Sequence, residues 1–380
     1  MNKLKHFKWK RYLNYTVIAV ILIVFSVMTL TGGLPKSTTF NLEKIAISII
    51  LAVSLSLVVG FLGELSLGHA GFMCVGAYLG GKVSALLVDS LGNGILTFFI
   101  SLLIGGICAG ICGFIIGLPA LRLKGDYLAI TTLAFGEIVR TIFQNTSDET
   151  FGGAIGLATP RFNQKYFFII CFVLVLVTLA VIQNLIYSKH GRAITAIRDN
   201  EIAAKATGVN VTRYKLIGFI VAAVFAGFAG VLFSYTQSNV SSATFDYNYS
   251  IEILVMVVLG GMGSINGSIV AATAVTFLNN KLATVLTGNL AVLKDLIYAL
   301  ILIMIVIYNN SPKLAAFRER YNFKNLFAKI TKNRFSKHEA DDTGRWDVVP
   351  TKIKMDALLS TDFVVNDIKP DQPKGDDSHE

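Results

Sequence analysis

The chain has 380 residues, of which 53% are hydrophobic and only 15% are charged, and its mean hydropathy is +0.61. A soluble domain carries about 25% charged residues, so this composition excludes an ordinary soluble protein. The net charge of +10 does not indicate a nucleic-acid partner, because the basic residues lie in the segments between and around apolar stretches.

Apolar residues form long uncharged runs along the chain. At about 1.5 Å rise per residue, runs of this length match a hydrocarbon core of about 30 Å. The runs are continuous rather than alternating, and a backbone in lipid must satisfy its own hydrogen bonds, so helices are favoured over a barrel. The predicted fold class is all-α, a polytopic membrane helical bundle. The runs cover residues 13–30, 45–62, 94–118, 167–186, 216–233 and 296–308.

Basic residues set the predicted orientation. They precede the first run, occupy the connection at 188–213 and follow the last run, so the positive-inside rule places both termini in the cytoplasm. The basic start could also belong to a signal peptide, but residues 28–33 offer no small-x-small cleavage site, so a retained anchor is predicted.

The number of crossings is then even. It is eight if two short apolar pieces form a re-entrant pair and ten if each piece crosses, which gives 8–10 transmembrane or re-entrant helices. The predicted crossings are 13–30, 45–62, 70–88, 94–118, 127–143, 167–186 and 214–235, then the short pieces 251–259 and 269–278, and the last run.

Four regions follow from these patterns. Residues 1–12 are a basic cytoplasmic N-terminus, and residues 13–310 are the transmembrane domain. Residues 311–337 carry eight basic residues and one acidic residue, which suits an anionic membrane surface. Residues 338–380 carry eleven acidic and five basic residues without helical periodicity, so a disordered acidic tail is predicted.

The polar connection at 188–213 mixes small apolar residues with charges. Alanines and isoleucines recur among the charged residues, and Asp199 or Asn200 can cap a second turn. A short amphipathic helix with a small apolar face is expected. This face either lies on the membrane surface or docks into a groove of a partner, where alanine and glycine allow close approach and the charges fix the register.

This connection resembles the coupling loop of bacterial ABC-importer permeases, whose loose consensus is Glu-Ala-Ala, three residues, then Gly. Ala203, Ala204 and Gly208 match it, whereas Ile202 stands at the Glu position and Glu201 lies one residue early. The stretch GRAITAIRDNEIAAKATGVNVTRYKL resembles the corresponding loop of LivM-type branched-chain amino acid permeases. Segments 64–78, 121–140 and 251–268 resemble other hallmark segments of that family, so the resemblance covers residues 45–308.

The resemblance implies the permease subunit of an ABC importer for branched-chain amino acids in the bacterial plasma (inner) membrane. Its partners would be a second homologous permease subunit, two cytoplasmic ABC ATPase subunits and an extracellular or periplasmic solute-binding protein. ATP and Mg would bind to the ATPases, and no cofactor or metal to this chain. The implied ATPase-coupling residues are Gly191, Arg192, Ile197, Arg198, Asp199, Asn200, Glu201, Ala203, Ala204 and Gly208.

Two glycine-interrupted breaks, one in each half of the chain, are candidates for the translocation pathway or gate. Paired breaks of this kind often mark a binding or gating region near mid-membrane. Alternatively, the glycines only permit tight helix packing. The candidate residues are Ser66, Gly68 and His69 in the first break, and Gly260, Gly261 and Gly263 in the second.

Charged residues inside predicted spans are costly and usually face the bundle interior. Glu137 and Arg140 are spaced to pair on one helix face. The pair either lines the route or serves as a structural ion pair. Glu64 and Glu252 have the same alternatives, and His69 is also typical of a satisfied residue at a helix end.

Two other functions fit the same patterns, and a third does not. Related permeases serve urea, short amides or other amino acids, and an ion-coupled secondary transporter acting alone would suit the paired breaks equally well. An intramembrane enzyme would need a catalytic constellation, and the sequence has no HExxH, no nucleophile elbow and no paired intramembrane aspartates. A non-catalytic membrane subunit is therefore predicted.

Overall fold

A computed structural model describes most of the transmembrane domain and confirms the all-α membrane bundle. The described residues are 18, 24–26, 28, 35–123, 125–160, 164–237, 239–285, 296–300 and 303–304. The predicted crossings at 13–30 and 296–308 therefore lie largely outside them. The basic and acidic segments at 311–337 and 338–380 lie outside them entirely, as does the N-terminal segment 1–12.

Eleven helices, one π-helical segment and one 3-10 helix are described between residues 35 and 285. The helices are α1 (Lys36–Ser56), α2 (His69–Leu91), α3 (Ile95–Ala120), α4 (Asp126–Gln144), α5 (Asp148–Phe151), α6 (Gln164–Tyr187), α7 (Lys189–Asp199), α8 (Glu201–Ala206), α9 (Val211–Thr236), α10 (Tyr247–Gly260) and α11 (Ile265–Val285). The π segment Leu57–Leu62 continues α1, and the 3-10 helix Ser242–Phe245 precedes α10. Strands β1 (Leu157–Ala158) and β2 (Asn239–Val240) form a two-residue antiparallel pair.

Among the described residues, five helices are long and apolar enough to cross a membrane. They are α1 with its π segment, α2, α3, α6 and α9. α10 has 14 residues and covers about 21 Å at 1.5 Å per residue, which is short of a hydrocarbon core of about 30 Å. The predicted number of crossings, eight or ten, stays a prediction.

Small residues bring the helices into close contact. α2, α3 and α9 pack together, and α1 lies against α6, α9, α10 and α11. A Cβ added to Gly71 of α2 would lie 2.7 Å from the Cα of Gly136 in α4, and the backbones of Gly76 and Gly227 are in similarly close contact between α2 and α9. Without a hydrophobic force between helices in lipid, such close backbone contact is a main source of association.

Two helix boundaries differ from the prediction because both helices extend into polar residues that a run of apolar residues leaves out. α1 begins at Lys36 rather than at residue 45, and its first turns are mostly polar; the carbonyl of Pro35 accepts from the N–H groups of Thr38 and Thr39 at 3.0 and 3.2 Å. α11 extends well beyond the predicted 269–278, and it starts where the hydroxyl of Ser264 accepts from the N–H of Gly267 at 3.2 Å. The second break is therefore a short turn between α10 and α11.

Candidate functional site

The connection at 188–213, predicted as a short amphipathic helix, folds into two short helices, α7 and α8. The hydroxyl of Ser188 caps α7 by accepting from the N–H groups of His190 and Gly191 at 3.1 and 3.2 Å. The side chain of Asn200 caps α8 by accepting from the N–H of Ala203 at 3.0 Å. These are the side-chain caps that helix N-termini prefer.

Glycine ends this unit. Gly208 follows α8 with φ of 85°, a conformation that costs any other L-residue energy. Its N–H donates to the carbonyl of Lys205, and the N–H of Val209 donates to that of Ala204, both at 3.1 Å. The turn directs the chain from α8 into α9.

One face of α7 and α8 packs on the bundle. Ile194 and Ile197 are 1% and 3% exposed, and Ala204 is buried as well. Gly191 is held against the carbonyls of Leu185 and Ile186 so closely that a Cβ would not fit there. The apolar face of the predicted amphipathic helix is therefore covered by this chain itself.

The opposite face of α7 and α8 is exposed. Ile202 is the extreme case, with 82% of its surface exposed. Exposed predicted coupling residues are Arg192, Arg198, Asp199, Asn200, Ala203 and Gly208. Most of the predicted set thus divides into residues that pack on the bundle and residues that are available to a partner, whereas Arg198 and Glu201 are partly accessible and also contact this chain.

Arg198 joins α7 to the end of α1. Its Nη1 donates to the carbonyl oxygen of Gly60 at 3.1 Å, and its Nη2 donates to Asp199 at 2.9 Å. Gly63, which follows the π segment with φ of 78°, lies beneath the arginine: an added Cβ would be 2.7 Å from its Cγ. A π segment changes the backbone hydrogen-bond pattern and is frequent at functional sites.

The second break also lies against the π segment, at Gly60. Gly261 and Gly263 adopt φ of 89° and 83°, so the tight turn between α10 and α11 requires them. A Cβ added to Gly263 would lie 3.3 Å from the carbonyl oxygen of Gly60. Gly260, in contrast, packs backbone to backbone against Gly267. The structure therefore brings the α7–α8 unit and the second break together at the π segment.

A buried lysine joins α8 to the first break. The Nζ of Lys215 in α9 donates to the carboxylates of Glu64 and Glu201, the latter at 3.2 Å. Lys215 is 3% exposed, and the side chains of Glu64 and Glu201 are 12% and 37% exposed. A buried charge needs such partners because its desolvation is expensive.

Sequence reasoning did not select Lys215. It lies within the predicted span 214–235, where it is the one charged residue of an otherwise apolar stretch. That isolation is itself the signal, since a charge at membrane depth usually has a partner or a function.

The first break, residues 63–68, runs from this charge cluster into the bundle. The N–H of Leu67 donates to the hydroxyl of Thr132 in α4 at 3.0 Å, and an added Cβ on Gly68 would lie 2.6 Å from the carbonyl oxygen of Thr132. Ser66 is 1% exposed, and its hydroxyl has no hydrogen-bond partner among the described residues. Such an atom is expensive in a bundle interior unless water or a solute meets it.

His69 begins α2 and is 2% exposed. Its Nε2 lies 2.8 Å from the hydroxyl of Ser54 in α1, and the next N–H, of Ala70, donates to the hydroxyl of Ser250 in α10 at 3.1 Å. These contacts are those of a residue that fixes a helix end, and a pathway role for His69 stays a prediction.

Glu137 and Arg140 pair on α4 as their spacing predicts. The Nε of Arg140 donates to the carboxylate of Glu137 at 2.8 Å, and its Nη1 donates to Gln144 at 3.3 Å. Both charged side chains are about a quarter exposed. They lie nearer to the C-terminal end of α4 than Thr132 does. A contact between this pair and a solute route also stays a prediction.

Comparison with known proteins identifies relatives. The model of the family described as branched-chain amino acid transport system / permease component matches residues 37–306. The LivM permease protein of the high-affinity branched-chain amino acid transport system of Salmonella typhimurium is 37% identical over 295 residues, 69% of this chain and 66% of that protein. Its Escherichia coli K12 namesake is 40% identical over 258 residues, 60% of this chain and 59% of that protein.

These alignments span 66% and 59% of the length of the two LivM proteins, less than two thirds of each. A more distant relative is the ribose import permease protein RbsC of Escherichia coli K12, which is 25% identical over 325 residues, 78% of this chain and 94% of that protein. No solved structure has a significant match to the chain.

Proposed function

Because the chain belongs to the family of permease components of branched-chain amino acid transport systems, we propose that it forms the membrane pathway of an ABC importer. It acts in the bacterial plasma membrane beside a second homologous permease subunit. Two cytoplasmic ATPases supply the energy, and an external solute-binding protein delivers the solute. The chain itself performs no catalysis, and ATP and Mg bind to the ATPases.

One observation carries the coupling part of this proposal: the α7–α8 unit packs on its own bundle with one face and is exposed on the other. An isoleucine with 82% exposure contributes little to the fold of this chain. An exposed apolar anchor with charges around it is what helix-in-groove docking uses. The exposed face is therefore assigned to an ATPase.

The contacts of the unit provide a mechanical route into the bundle. Arg198 contacts the π segment at Gly60, and Glu201 shares Lys215 with Glu64 of the first break. A shift of α7 and α8 driven by ATPase closure moves these points with it. The proposed gate region that responds to this shift comprises Ser66, Gly68 and His69 of the first break and Gly260, Gly261 and Gly263 of the second.

The similarity to relatives favours branched-chain amino acids as cargo. Identity to the LivM proteins of Salmonella typhimurium and Escherichia coli K12 is 37% and 40%, against 25% to the ribose permease of Escherichia coli K12. Sugar cargo is the second candidate, since the relatives of this chain include permeases named for ribose and L-arabinose.

The cargo is tested by competition. Radiolabelled L-leucine is offered to cells that express the complete transporter, with a strain lacking this chain as background. Excess isoleucine or valine is expected to reduce leucine uptake at least tenfold, whereas excess ribose leaves it unchanged. Uptake that responds to ribose and not to valine would contradict the assigned cargo.

A further inference from the structure

α4 packs beside α2 and runs parallel to it. Gly136 of α4 meets Gly71 of α2, where an added Cβ would lie 2.7 Å from the neighbouring Cα. Two turns further along, the ring of Phe143 stacks on that of Tyr78, with 4.4 Å between the centroids and 11° between the planes. The difference in residue number is the same for both pairs, so the depth of each residue of α4 can be read from α2.

This register places the ion pair of α4 near the middle of the bundle. Arg140 is level with residue 75 of α2, next to Gly76. Gly76 contacts Gly227 and Gly105, and each of these lies in the middle third of its helix, α9 or α3. Glu137 is one turn closer to the start of α4. A charge at this depth of a membrane protein usually faces the bundle interior or a water-filled cavity.

The packed side of α4 does not hold these charges. Phe135, Gly136 and Val139 are buried in the bundle, whereas the side chains of Glu137 and Arg140 are 29% and 25% exposed. The pair therefore lies at the edge of a side of α4 that the described residues leave open. Contact of that side with lipid would be expensive for two charged groups.

An open groove of about 430 Å³ lies on this side of α4. It is lined by Glu137, Ile138, Thr141, Ile142 and Asn145, and most of the lining surface is apolar. Ile138 and Ile142 are both 59% exposed. The volume is in the usual range for small-molecule sites, which combine apolar walls with a few placed polar groups.

The ion pair has hydrogen-bonding capacity left for a ligand. The Nε of Arg140 donates to Oε2 of Glu137 at 2.8 Å, and Nη1 donates to Gln144 at 3.3 Å. A guanidinium has five N–H groups, so three remain. Among the described residues, Glu137 accepts at Oε2 alone, which leaves Oε1 as an acceptor.

The two charges are complementary to a zwitterion. An amino acid carries its ammonium and its carboxylate on one carbon, and α4 presents a carboxylate and a guanidinium in direct contact. Arginine binds carboxylates with two parallel N–H groups. Stability alone accounts poorly for such a pair, because apolar residues of similar volume often replace a desolvated ion pair without loss.

We propose that this groove binds an aliphatic amino acid on its way through the membrane. The α-carboxylate binds the remaining N–H groups of Arg140, the α-ammonium binds Oε1 of Glu137, and the side chain packs on Ile138 and Ile142. A sugar carries neither charge, so the same pair favours amino acids over sugars. This inference rests on the proposed transport function and adds to it a solute site within the membrane subunit.

Competition against radiolabelled L-leucine, on the purified complete transporter without its solute-binding protein, tests this site. 4-Methylpentanoate is leucine without its ammonium, and 3-methylbutylamine is leucine without its carboxylate. Each should compete at least tenfold less well than unlabelled leucine, and ribose should not compete. This comparison uses the wild type, so it does not depend on the folding of a variant.

Two variants then separate the two contacts. Glu137→Gln should bind leucine at least tenfold more weakly and lose the preference for leucine over 4-methylpentanoate, while it keeps the preference over 3-methylbutylamine. Arg140→Gln should show the reverse pattern. A purely structural role of the pair would instead weaken the binding of all three ligands alike.

Asp126→Asn is the matched control. It removes an exposed charge in the first turn of the same helix, away from the groove, and should bind leucine as the wild type does. Thermal unfolding midpoints within the wild-type range verify that each variant is folded.

Three outcomes would overturn the inference. The wild type could bind no leucine, which is expected if the second permease subunit covers this side of α4 permanently. The three ligands could compete equally in the wild type. The Glu137→Gln and Arg140→Gln variants could bind leucine as Asp126→Asn does, or lose all three ligands alike.

Uptake of leucine by the wild-type complete transporter with its solute-binding protein, measured in parallel, separates the two proposals. If uptake is present while binding fails these tests, only the assignment of the groove is wrong. If the wild type takes up no branched-chain amino acid, the proposed function fails.

Discussion

Lys215→Met is expected to destabilise the protein by about 3–5 kcal/mol, the usual effect of breaking a buried ion pair by removing one partner. Lys215 is 3% exposed and donates to Glu64, whose side chain is 12% exposed. The variant leaves the carboxylate of Glu64 buried without its ammonium partner. The measurement is the thermal unfolding midpoint and the yield of folded protein in detergent.

Two further variants control this result. Glu64→Gln combined with Lys215→Met removes both charges and should recover most of the stability, since a neutral replacement of a buried pair is often tolerated. Glu201→Gln should change stability by less than about 1 kcal/mol, because an ion pair at a side chain that is 37% exposed is weak. A Lys215→Met protein as stable as Glu201→Gln would contradict the assigned role of the cluster.

If the cluster of Lys215, Glu64 and Glu201 transmits motion, its removal has a functional effect that a purely structural role does not predict. In the double variant the connection between α8 and the first break is removed while the fold is retained. We expect ATP hydrolysis to continue, with less leucine transported per ATP. An unchanged ratio would mean that the cluster stabilises the bundle without transmitting motion.

Ile202→Asp is expected to weaken ATPase binding by about 2 kcal/mol or more, which is about 30-fold, as for a hot-spot residue at the centre of an interface. Ile202 is 82% exposed on α8, so its replacement should leave the fold of this chain intact. The measurement is the affinity of the purified permease pair for the ATPase, by titration in detergent.

The matched control is Ile155→Asp. Ile155 is 72% exposed and precedes β1. β1 pairs with β2, which follows the C-terminal end of α9, so Ile155 is an exposed isoleucine at the end of the bundle opposite to α8. This variant should bind the ATPase normally. Equal affinities for both variants and the wild type would place the ATPase contact elsewhere than α8.

The helices themselves could be predicted from hydropathy, because each described span is apolar over most of its length. The helix starts could not be predicted from hydropathy, because α1 begins in polar residues nine positions before its apolar run and the hydroxyl of Ser264 caps the start of α11. The π segment at Leu57–Leu62 was also missed, since it lies in a run of apolar residues that suits a regular helix equally well.

The candidate site could be predicted in its parts and not in its assembly. The amphipathic helix at 188–213 could be predicted from its mixture of charged residues and alanines, with Asp199 or Asn200 as the cap of a second turn, whereas its division into two helices could not. Its contacts with Gly60 and Glu64 join positions more than a hundred residues apart in the chain, which one sequence cannot pair.

The central claim, a membrane pathway driven by ATPases through α7 and α8, is tested most directly by leucine uptake into proteoliposomes that contain the complete transporter, ATP and the solute-binding protein. We predict uptake that requires both the ATPases and ATP hydrolysis, and that is lost with Ile202→Asp and kept with Ile155→Asp. Equal uptake by the two permease subunits alone, without the ATPases, would contradict this account.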